Sequence, residues 1–324
     1  MTTITANVNL ALAHLEQGDV VAIPTETVYG LAADATNETA IKKIFSIKKR
    51  PLNHPLIMHV CHDWDLSRWV IDIPEYAQQM IRTFWPGPLT LVLNSKENAV
   101  NSFVNGGQNS IAIRAPKHDL TQQLLRTLNR PLVAPSANPF GQISPTTALH
   151  VAISFPHEHF LILDGGPCDV GIESSIIQAT HPDGYSVLRP GMVDLQTIEN
   201  KFGQQRHVNT AIPRVSGQLE SHYKPKKQLY YLYDWLGWDK AIRFLTGKVY
   251  TISMSDFIPS DRSLHHPLPN NAKMAAHQLY DILRCADQSQ ADVIVIELPP
   301  NEIKWQAIRE KIIKAGCHIN AIIE

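Results

Sequence analysis

Cysteine is scarce in this chain, and so is charge of either sign. Four cysteines (Cys61, Cys168, Cys285 and Cys317) are scattered through 324 residues with no C-x-x-C pair, which excludes a disulfide framework and zinc-ribbon spacing. Four isolated thiols suit a reducing cytoplasm, most simply as core filler. Charged residues are only 18% of the chain, with Lys+Arg 29 against Asp+Glu 30 and a formal net charge of -1. That balance gives no chain-wide field to draw in nucleic acid or an anionic membrane, so any anion site has to be local. No apolar run reaches the roughly 18 residues a membrane-spanning helix needs. No basic segment leading into an apolar core and cleavage site opens the chain, so export is not expected and a cytoplasmic location is. G-x-G-x-x-G is missing too, which leaves dinucleotide binding without its usual support. There is no internal repeat and no low-complexity segment.

Hydrophobic residues make up 44% of the sequence, enough for a sizeable core, and the length suggests two domains. Val8, Ala11, Leu12 and Leu15 recur at helical spacing before a stop at Gly18. Asn37 can cap a helix carrying Ile41, Ile44 and Phe45, and Ile73, Ala77, Met80, Ile81 and Phe84 form another stripe. Strands are expected at 20–23, 56–60, 89–93, 110–114, 132–134, 161–163, 174–177 and 186–189, with helices around 120–128 and 147–153. The pattern predicts a mixed α/β sheet with flanking helices. Beyond Phe202 the periodicity lapses for about 25 residues, longer than most connections, so 203–227 reads as a functional or mobile linker. It then resumes with strands at 228–233, 248–253 and 293–298 and helices at 234–245, 272–286 and 302–315. Strands alternating with helices predict a smaller, Rossmann-like parallel domain. The expected division is therefore 1–202, 203–227 and 228–324.

Chemistry concentrates in the first part. The strand at 20–23 runs into Pro24-Thr25-Glu26-Thr27-Val28-Tyr29-Gly30, and Lys48-Lys49-Arg50-Pro51 follows a helix. Lys48 and Arg50 could converge on one phosphate, Arg by a forked contact and Lys as a point charge. From those residues alone, a solvated charge run is the cheaper reading. The threonines could simply bond their own turn. Ala134-Pro135-Ser136-Ala137-Asn138-Pro139-Phe140-Gly141-Gln142-Ile143-Ser144-Pro145-Thr146-Thr147 leaves a strand and enters a helix start suited to anions, or is a well-capped loop. Asp164-Gly165-Gly166-Pro167 and Gly171-Ile172-Glu173-Ser174-Ser175 allow close backbone approach to a ligand. Arg114 and Arg189 each end an expected strand. Open α/β sheets bind ligands at strand ends, so with Lys48 and Arg50 they suggest a converging cationic cluster.

In order along the chain, PTETVYGL, the K-x-R-P corner, WPGPLT, R-x-P-x-H, APSAN…G…SPT, GIESS and LRPG resemble the YrdC-like family of threonylcarbamoyl-AMP synthases. Gly217 and Ser221-His222-Tyr223-Lys224-Pro225 resemble the linker motif of the family's long form, which carries an additional C-terminal α/β domain. The resemblance implies that L-threonine, bicarbonate and ATP give threonylcarbamoyl-AMP and pyrophosphate, with Mg²⁺ accompanying ATP. It also implies that the product passes to the transferase machinery that makes N6-threonylcarbamoyladenosine in tRNA, with at most a weak tRNA contact and no membrane. Lys48 and Arg50 then match the catalytic, triphosphate-clamping pair. His54, Ser110, Ser136, Asn138, Ser144, Arg189 and Tyr223 match ATP contacts, Tyr223 as part of a linker lid. Thr27, His59, Arg114, Ala134 and Ser174 match the threonine set, Arg114 facing the carboxylate. No protein metal ligand is implied. Since a threonine amine can capture CO₂ or bicarbonate itself, the chemistry needs positioning and charge stabilisation rather than a protein nucleophile.

The match is imperfect at a few positions. Ser216-Gly217-Gln218 stands where Pro-Gly-Met is more common, and Ser175 and Gln178 where Thr and Asp are. Two rival classes compete with the synthase. An RNA-binding module without synthase activity would use Lys224-Pro225-Lys226-Lys227, but basic and aromatic residues are not interleaved on one face. A hydrogenase-maturation carbamoyl transferase would carry acylphosphatase and zinc-finger regions, for which the chain has neither room nor C-x-x-C pairs.

Overall fold

The computed structural model describes residues 2–193, 195–203, 212–217, 222–236, 238, 242–256 and 263–322. Contacts divide the chain into one unit of Met1–Phe140 with Ser144–Gln218, and another of Gly141–Ile143 with Leu219–Glu324. Among the described residues no helix is long and apolar enough to cross a membrane.

The first unit is built on ten strands: β1 (Thr3–Thr5), β2 (Val21–Ile23), β3 (Gly30–Asp34), β4 (Ile57–His59), β5 (Leu89–Asn94), β6 (Ser110–Arg114), β7 (Leu132–Val133), β8 (Leu161–Leu163), β9 (Ser175–His181) and β10 (Gly184–Arg189). They form one sheet in the order β1-β8-β2-β3-β7-β4-β6-β5-β9-β10. The sheet is mixed, as the sequence predicts: β4 and β6 are parallel, whereas β5 with β6 and β9 with β10 are antiparallel. Helices α1 (Val8–Glu16), α2 (Glu38–Lys48), α3 (Glu75–Phe84), α4 (Ser102–Asn105), α5 (Asp119–Leu128), α6 (Ala148–Ser154) and α7 (Leu195–Phe202) accompany it. Asn7 and Asn37 cap α1 and α2 by accepting backbone N–H groups of the first turn. One core cluster includes Ala11 and Leu15 of α1, Leu124 and Leu125 of α5, and Val21 and Ile23 of β2. A larger one unites Ile41, Ile44 and Phe45 of α2 with Met58, Leu91 and Ile113.

Two strands here fall outside the sequence expectation. β3 reads GLAAD, small residues buried on both faces, so it shows no period-2 alternation to betray it. β1 is a short edge strand with Thr3 and Ile4 exposed. Helices α4 and α7 lie outside the expectation as well.

In the second unit, β11 (Gln228–Leu232), β12 (Val249–Ser253), β13 (Ser263–Pro267), β14 (Val293–Glu297) and β15 (Cys317–His318) form a parallel sheet ordered β13-β12-β14-β11-β15. It carries helices α8 (Ala272–Gln288) and α9 (Gln306–Ala315). The parallel α/β character is the predicted one, but β14 lies between β11 and β12, so the order is not that of the dinucleotide fold. β13 reads SLHHP, a polar edge strand without an apolar pattern. The helix expected at 234–245 lies partly outside the described residues, as do Gln218 and Ser221 of the linker motif.

Candidate active site

Helix α2 ends in a Schellman turn: Arg50 N–H bonds to Phe45 O at 2.9 Å and Lys49 N–H to Ser46 O at 3.1 Å. Lys49 takes the left-handed conformation, with φ at 53°. On a continuing helix, residues 48 and 50 would face nearly opposite ways. The left-handed cap turns the chain so that Lys48 and Arg50 are both buried, at 2% and 7% exposure, while Lys49 faces solvent. The cationic run is therefore split, and its solvated-run reading fails for the two outer residues.

Lys48 reaches into the 134–147 loop. Its Nζ donates to the carbonyls of Ser136 and Asn138, each at 2.5 Å, and Phe140 N–H returns a bond to Lys48 O at 2.9 Å. An ammonium has three donors, so one remains for a ligand. Burial first, and Arg50 second, hold the Lys48 pKa well below the ordinary lysine value. The Arg50 guanidinium donates to Pro55 O at 2.8 Å and to Ser216 Oγ at 3.2 Å, and lies 5.3 Å from the Phe140 ring centroid. Burial brings its pKa down to about 10. His54 packs edge-on against the same ring, and burial followed by Arg50 lowers its pKa.

The turn after β2 explains how the loop is held. Tyr29 N–H bonds to Pro145 O, Leu31 N–H to Pro135 O, and Ala137 N–H to Tyr29 O. Gly30 is needed because a Cβ there would come within 2.9 Å of the Ala134 Cβ. Ala134 N–H in turn bonds to Ile57 O at 3.2 Å. The Tyr29 hydroxyl donates to Gly166 O and accepts from Gly165 N–H, tying in the Asp164-Gly165-Gly166 turn. Ser144 donates to Glu173 Oε1 at 2.5 Å, both groups buried.

A second cluster surrounds Arg114, the last residue of β6 and 4% exposed. Its Nη1 donates to Thr27 Oγ1 at 2.8 Å and its Nε to Gly87 O at 3.3 Å, while Nη2 lies 2.7 Å from Glu26 Oε2. The Thr25 hydroxyl proton goes to Val28 O, so between the two hydroxyls, 2.9 Å apart, Thr27 is the donor. Between β2 and β6 stand β3, β7 and β4. The 24–29 turn therefore reaches Arg114 across the sheet, and the cluster is not simply a row of strand ends. His59 pairs with Arg114 in the β4–β6 register. Burial, then Arg114, depress its pKa to about 3. With Nδ1 placed 3.1 Å from Ile57 O as the donor, a neutral ring offers Nε2 as an acceptor.

Arg189 closes the arrangement. It donates from Nε to Ser174 O at 3.0 Å, from Nη2 to Ser174 Oγ at 3.1 Å and from Nη1 to Ser216 O at 3.1 Å. Ser174 Oγ also meets Thr90 Oγ1 at 2.8 Å. A Cβ on Gly191 would fall 2.3 Å from Ser175 N and 2.6 Å from Ser174 C, which is why this crossing of two backbones needs glycine. Ser216 thus engages both Arg50 and Arg189, and its neighbour Val215 packs with Ile57, Val92, Ala112, Ile176 and Leu188 on one face of the sheet.

The structure joins Lys48, Arg50, Ser136, Asn138 and His54 around the 134–147 loop, and Thr27, Arg114 and His59 around Glu26. Ser174 and Arg189 form a third group linked to Arg50 through Ser216. Extending the Ile57–Ala112 pairing by two residues puts Ser110 level with Pro55, on the Arg50 side. Tyr223 belongs to the second unit, on left-handed backbone with φ at 64°. There its ring stacks on Tyr280 at 5.9 Å and lies 5.2 Å from Lys311 Nζ. Sequence reasoning gave no role to Glu26, Glu173, Thr90 or Ser216. The signal for Glu26 was available: a carboxylate in a turn of apolar and hydroxyl residues, in a chain whose buried arginines must find counter-charges.

Comparisons with known proteins cover nearly the whole chain. The Sua5/YciO/YrdC profile, described as "Telomere recombination", matches residues 13–191. That described as "Threonylcarbamoyl-AMP synthase, C-terminal domain" matches residues 192–317. The threonylcarbamoyl-AMP synthase of Pyrococcus abyssi is 35% identical over 307 residues, which span 90% of this chain and 88% of that protein. That of Bacillus subtilis is 34% identical over 326 residues, spanning 94% and 92%. The crystal structure of P. abyssi Sua5 complexed with L-threonine aligns with a TM-score of 0.83 at 31% identity, over 98% of each chain. A chain that matches both profiles in sequence, and full-length relatives in fold, belongs to the threonylcarbamoyl-AMP synthase family.

Proposed function

We propose that this protein is a nucleotidyltransferase that converts L-threonine, bicarbonate and ATP into threonylcarbamoyl-AMP and pyrophosphate. The observation that carries the reading is the pair of buried clusters, a Lys48–Arg50 corner and an Arg114–Thr27–Glu26 group, in a member of this family. Lys48 and Arg50 would receive the triphosphate, with His54, Ser110, Ser136, Asn138, Ser144 and Arg189 around the nucleotide and Tyr223 in the lid. Arg114 would take the threonine carboxylate, with Thr27, His59, Ser174 and the Ala134 backbone around the rest of the amino acid. The carbamate formed on the threonine amine attacks the α-phosphate, and pyrophosphate leaves. Buried cations placed on that path stabilise charge as it develops, with little reorganisation.

Glu26 Oε2 accepts Lys117 N–H and lies 2.7 Å from Arg114 Nη2, and Glu173 accepts from Ser144. That suits Mg²⁺ entering on the nucleotide's own oxygens, where it would neutralise phosphate charge. The adenylate would pass to tRNA-modifying machinery in the cytoplasm. An RNA-binding role draws no support from these cations, because Lys48, Arg50, Arg114 and Arg189 are all buried. The test is incubation with ATP, Mg²⁺, threonine and bicarbonate, measuring pyrophosphate and the mass of any adenylate. Pyrophosphate release that depends on both threonine and bicarbonate is expected; release indifferent to both overturns the reading.

A further inference from the structure

Glu26 is 3% exposed and cannot simply swing to solvent, since its own turn is pinned by Thr25 and by Val170 N–H bonding to Glu26 O at 2.7 Å. One carboxylate oxygen, Oε2, faces Arg114 Nη2 at 2.7 Å and accepts Lys117 N–H at 3.0 Å. The other, Oε1, is buried and has no hydrogen-bond partner among the described residues. Arg114 Nη2 is in the same state: close to Oε2, but without an aligned hydrogen bond. The remaining Arg114 nitrogens are committed to Thr27 and Gly87. An acceptor and a donor, on oppositely charged side chains in contact, are thus left over side by side.

Leaving such groups unmet is costly, and more so when they are charged. A ligand that meets both needs a strong donor and a strong acceptor only a few bonds apart. A phosphate or dicarboxylate would serve Arg114 and repel Glu26; a diamine would do the reverse. The head group of an α-amino acid serves both. Its entry also adds no net charge to a buried pair that is already neutral, which keeps the desolvation cost low.

We propose that Glu26 and Arg114 form a zwitterion clamp, Glu26 Oε1 receiving the α-ammonium of the amino-acid substrate and Arg114 Nη2 its carboxylate. This rests on the threonine reading above and adds a ligand contact, Glu26, to it. The clamp selects α-amino acids as a class and leaves the side chain to be read by other groups.

The test is a binding cycle on the full-length protein, measured by calorimetry or by displacement of labelled L-threonine. Wild type and Glu26→Gln are each compared for L-threonine and for 3-hydroxybutyrate, which is threonine without its amine. Glu26→Gln should weaken L-threonine at least tenfold while leaving 3-hydroxybutyrate unchanged or tighter, because the repulsion between Glu26 and a lone carboxylate is removed. Equal losses for both ligands overturn the amine contact and make Glu26 only a positioner of Arg114; no loss for either overturns it as well. If Glu26→Gln does not fold, the wild type alone decides. L-threonine must then bind more than tenfold tighter than 3-hydroxybutyrate, and equal affinities overturn the clamp. Wild type that binds no threonine at all overturns the threonine reading itself, a result distinct from a failed cycle in a threonine-binding protein.

Discussion

Replacing His59 by glutamine should flatten the acid side of the stability profile. The imidazole sits at the end of β4, buried, in register with Arg114. Burial first and the Arg114 charge second bring its pKa from 6.5 to about 3. The sign follows from proton counts. Between those two values the unfolded chain holds a proton that the folded chain refuses, so stability is full above the unfolded value and is lost as pH falls through the window. At about 1.4 kcal/mol per pH unit, the whole interval amounts to about 5 kcal/mol, comparable to the stability of a modest domain. Glutamine can still donate to Ile57 O but does not titrate. Urea midpoints for both proteins, taken stepwise between pH 7 and pH 4, should diverge as pH falls, with wild type losing stability faster. Other acid-sensitive groups are common to both and cancel in the difference. Parallel profiles would refute the reasoning, because they would mean that His59 accepts a proton in the fold as easily as in the unfolded chain.

Gly191→Ala should lower stability by about 1–3 kcal/mol, since the new methyl meets backbone and not a flexible side-chain tip. It should also loosen the Arg189–Ser174 contacts; an unchanged melting temperature sinks this. Lys49→Gly should stabilise the protein by about 0.5–1 kcal/mol, because the left-handed cap no longer carries a side chain. Lys49→Val should destabilise it and impair nucleotide binding by rotating Lys48 and Arg50 apart; a Val variant with wild-type melting and ATP affinity counts against the cap argument. At a pH high enough to discharge Lys48 in the free protein, ATP binding should take up a proton, because triphosphate charge beside Lys48 raises a pKa that burial holds down. Calorimetry in buffers of different ionisation enthalpy reads this directly, and enthalpies independent of buffer in wild type would contradict it.

Much of the first unit was legible because its strands are apolar runs and its helices carry clear stripes and Asn caps. β3 escaped because GLAAD is buried on both faces, which erases the alternation that marks a half-buried strand. The pairing of Lys48 with Arg50 was visible only as spacing. What makes it work is the left-handed turn at Lys49, and a lysine gives no sequence signal for that conformation, unlike glycine. Glu26 was in plain sight and still missed, since its partner lies 88 positions later, across three strands. In the sequence Ser216 is only a departure from Pro-Gly-Met; its contacts with Arg50 and Arg189 depend on where the strand ends meet, which no local pattern encodes.

The buried charges of the first unit explain why an almost neutral chain can hold an anion. Among the described residues of the first unit, Lys48, Arg50, Arg114 and Arg189 are buried with three carboxylates, Glu26, Glu173 and Asp34, the last of which pairs with Arg130, while the chain as a whole has a formal net charge of -1. Glu26 answers Arg114 directly. Lys48, Arg50 and Arg189 donate instead to neutral oxygens of Ser136, Asn138, Pro55, Ser174 and Ser216. Carbonyl and hydroxyl oxygens hold these side chains in place without cancelling their charge. The Arg114 cluster is therefore electrically balanced and fits a zwitterion, whereas the Lys48–Arg50–Arg189 group keeps an excess of positive charge in a dry setting and fits a polyanion. Under the proposed function, that difference, more than the identity of any one residue, would divide the site into an amino-acid half and a nucleotide half. It also predicts opposite salt responses. Threonine affinity should vary little between 50 mM and 500 mM salt, while ATP affinity should fall. Equal salt slopes for the two ligands would contradict the division.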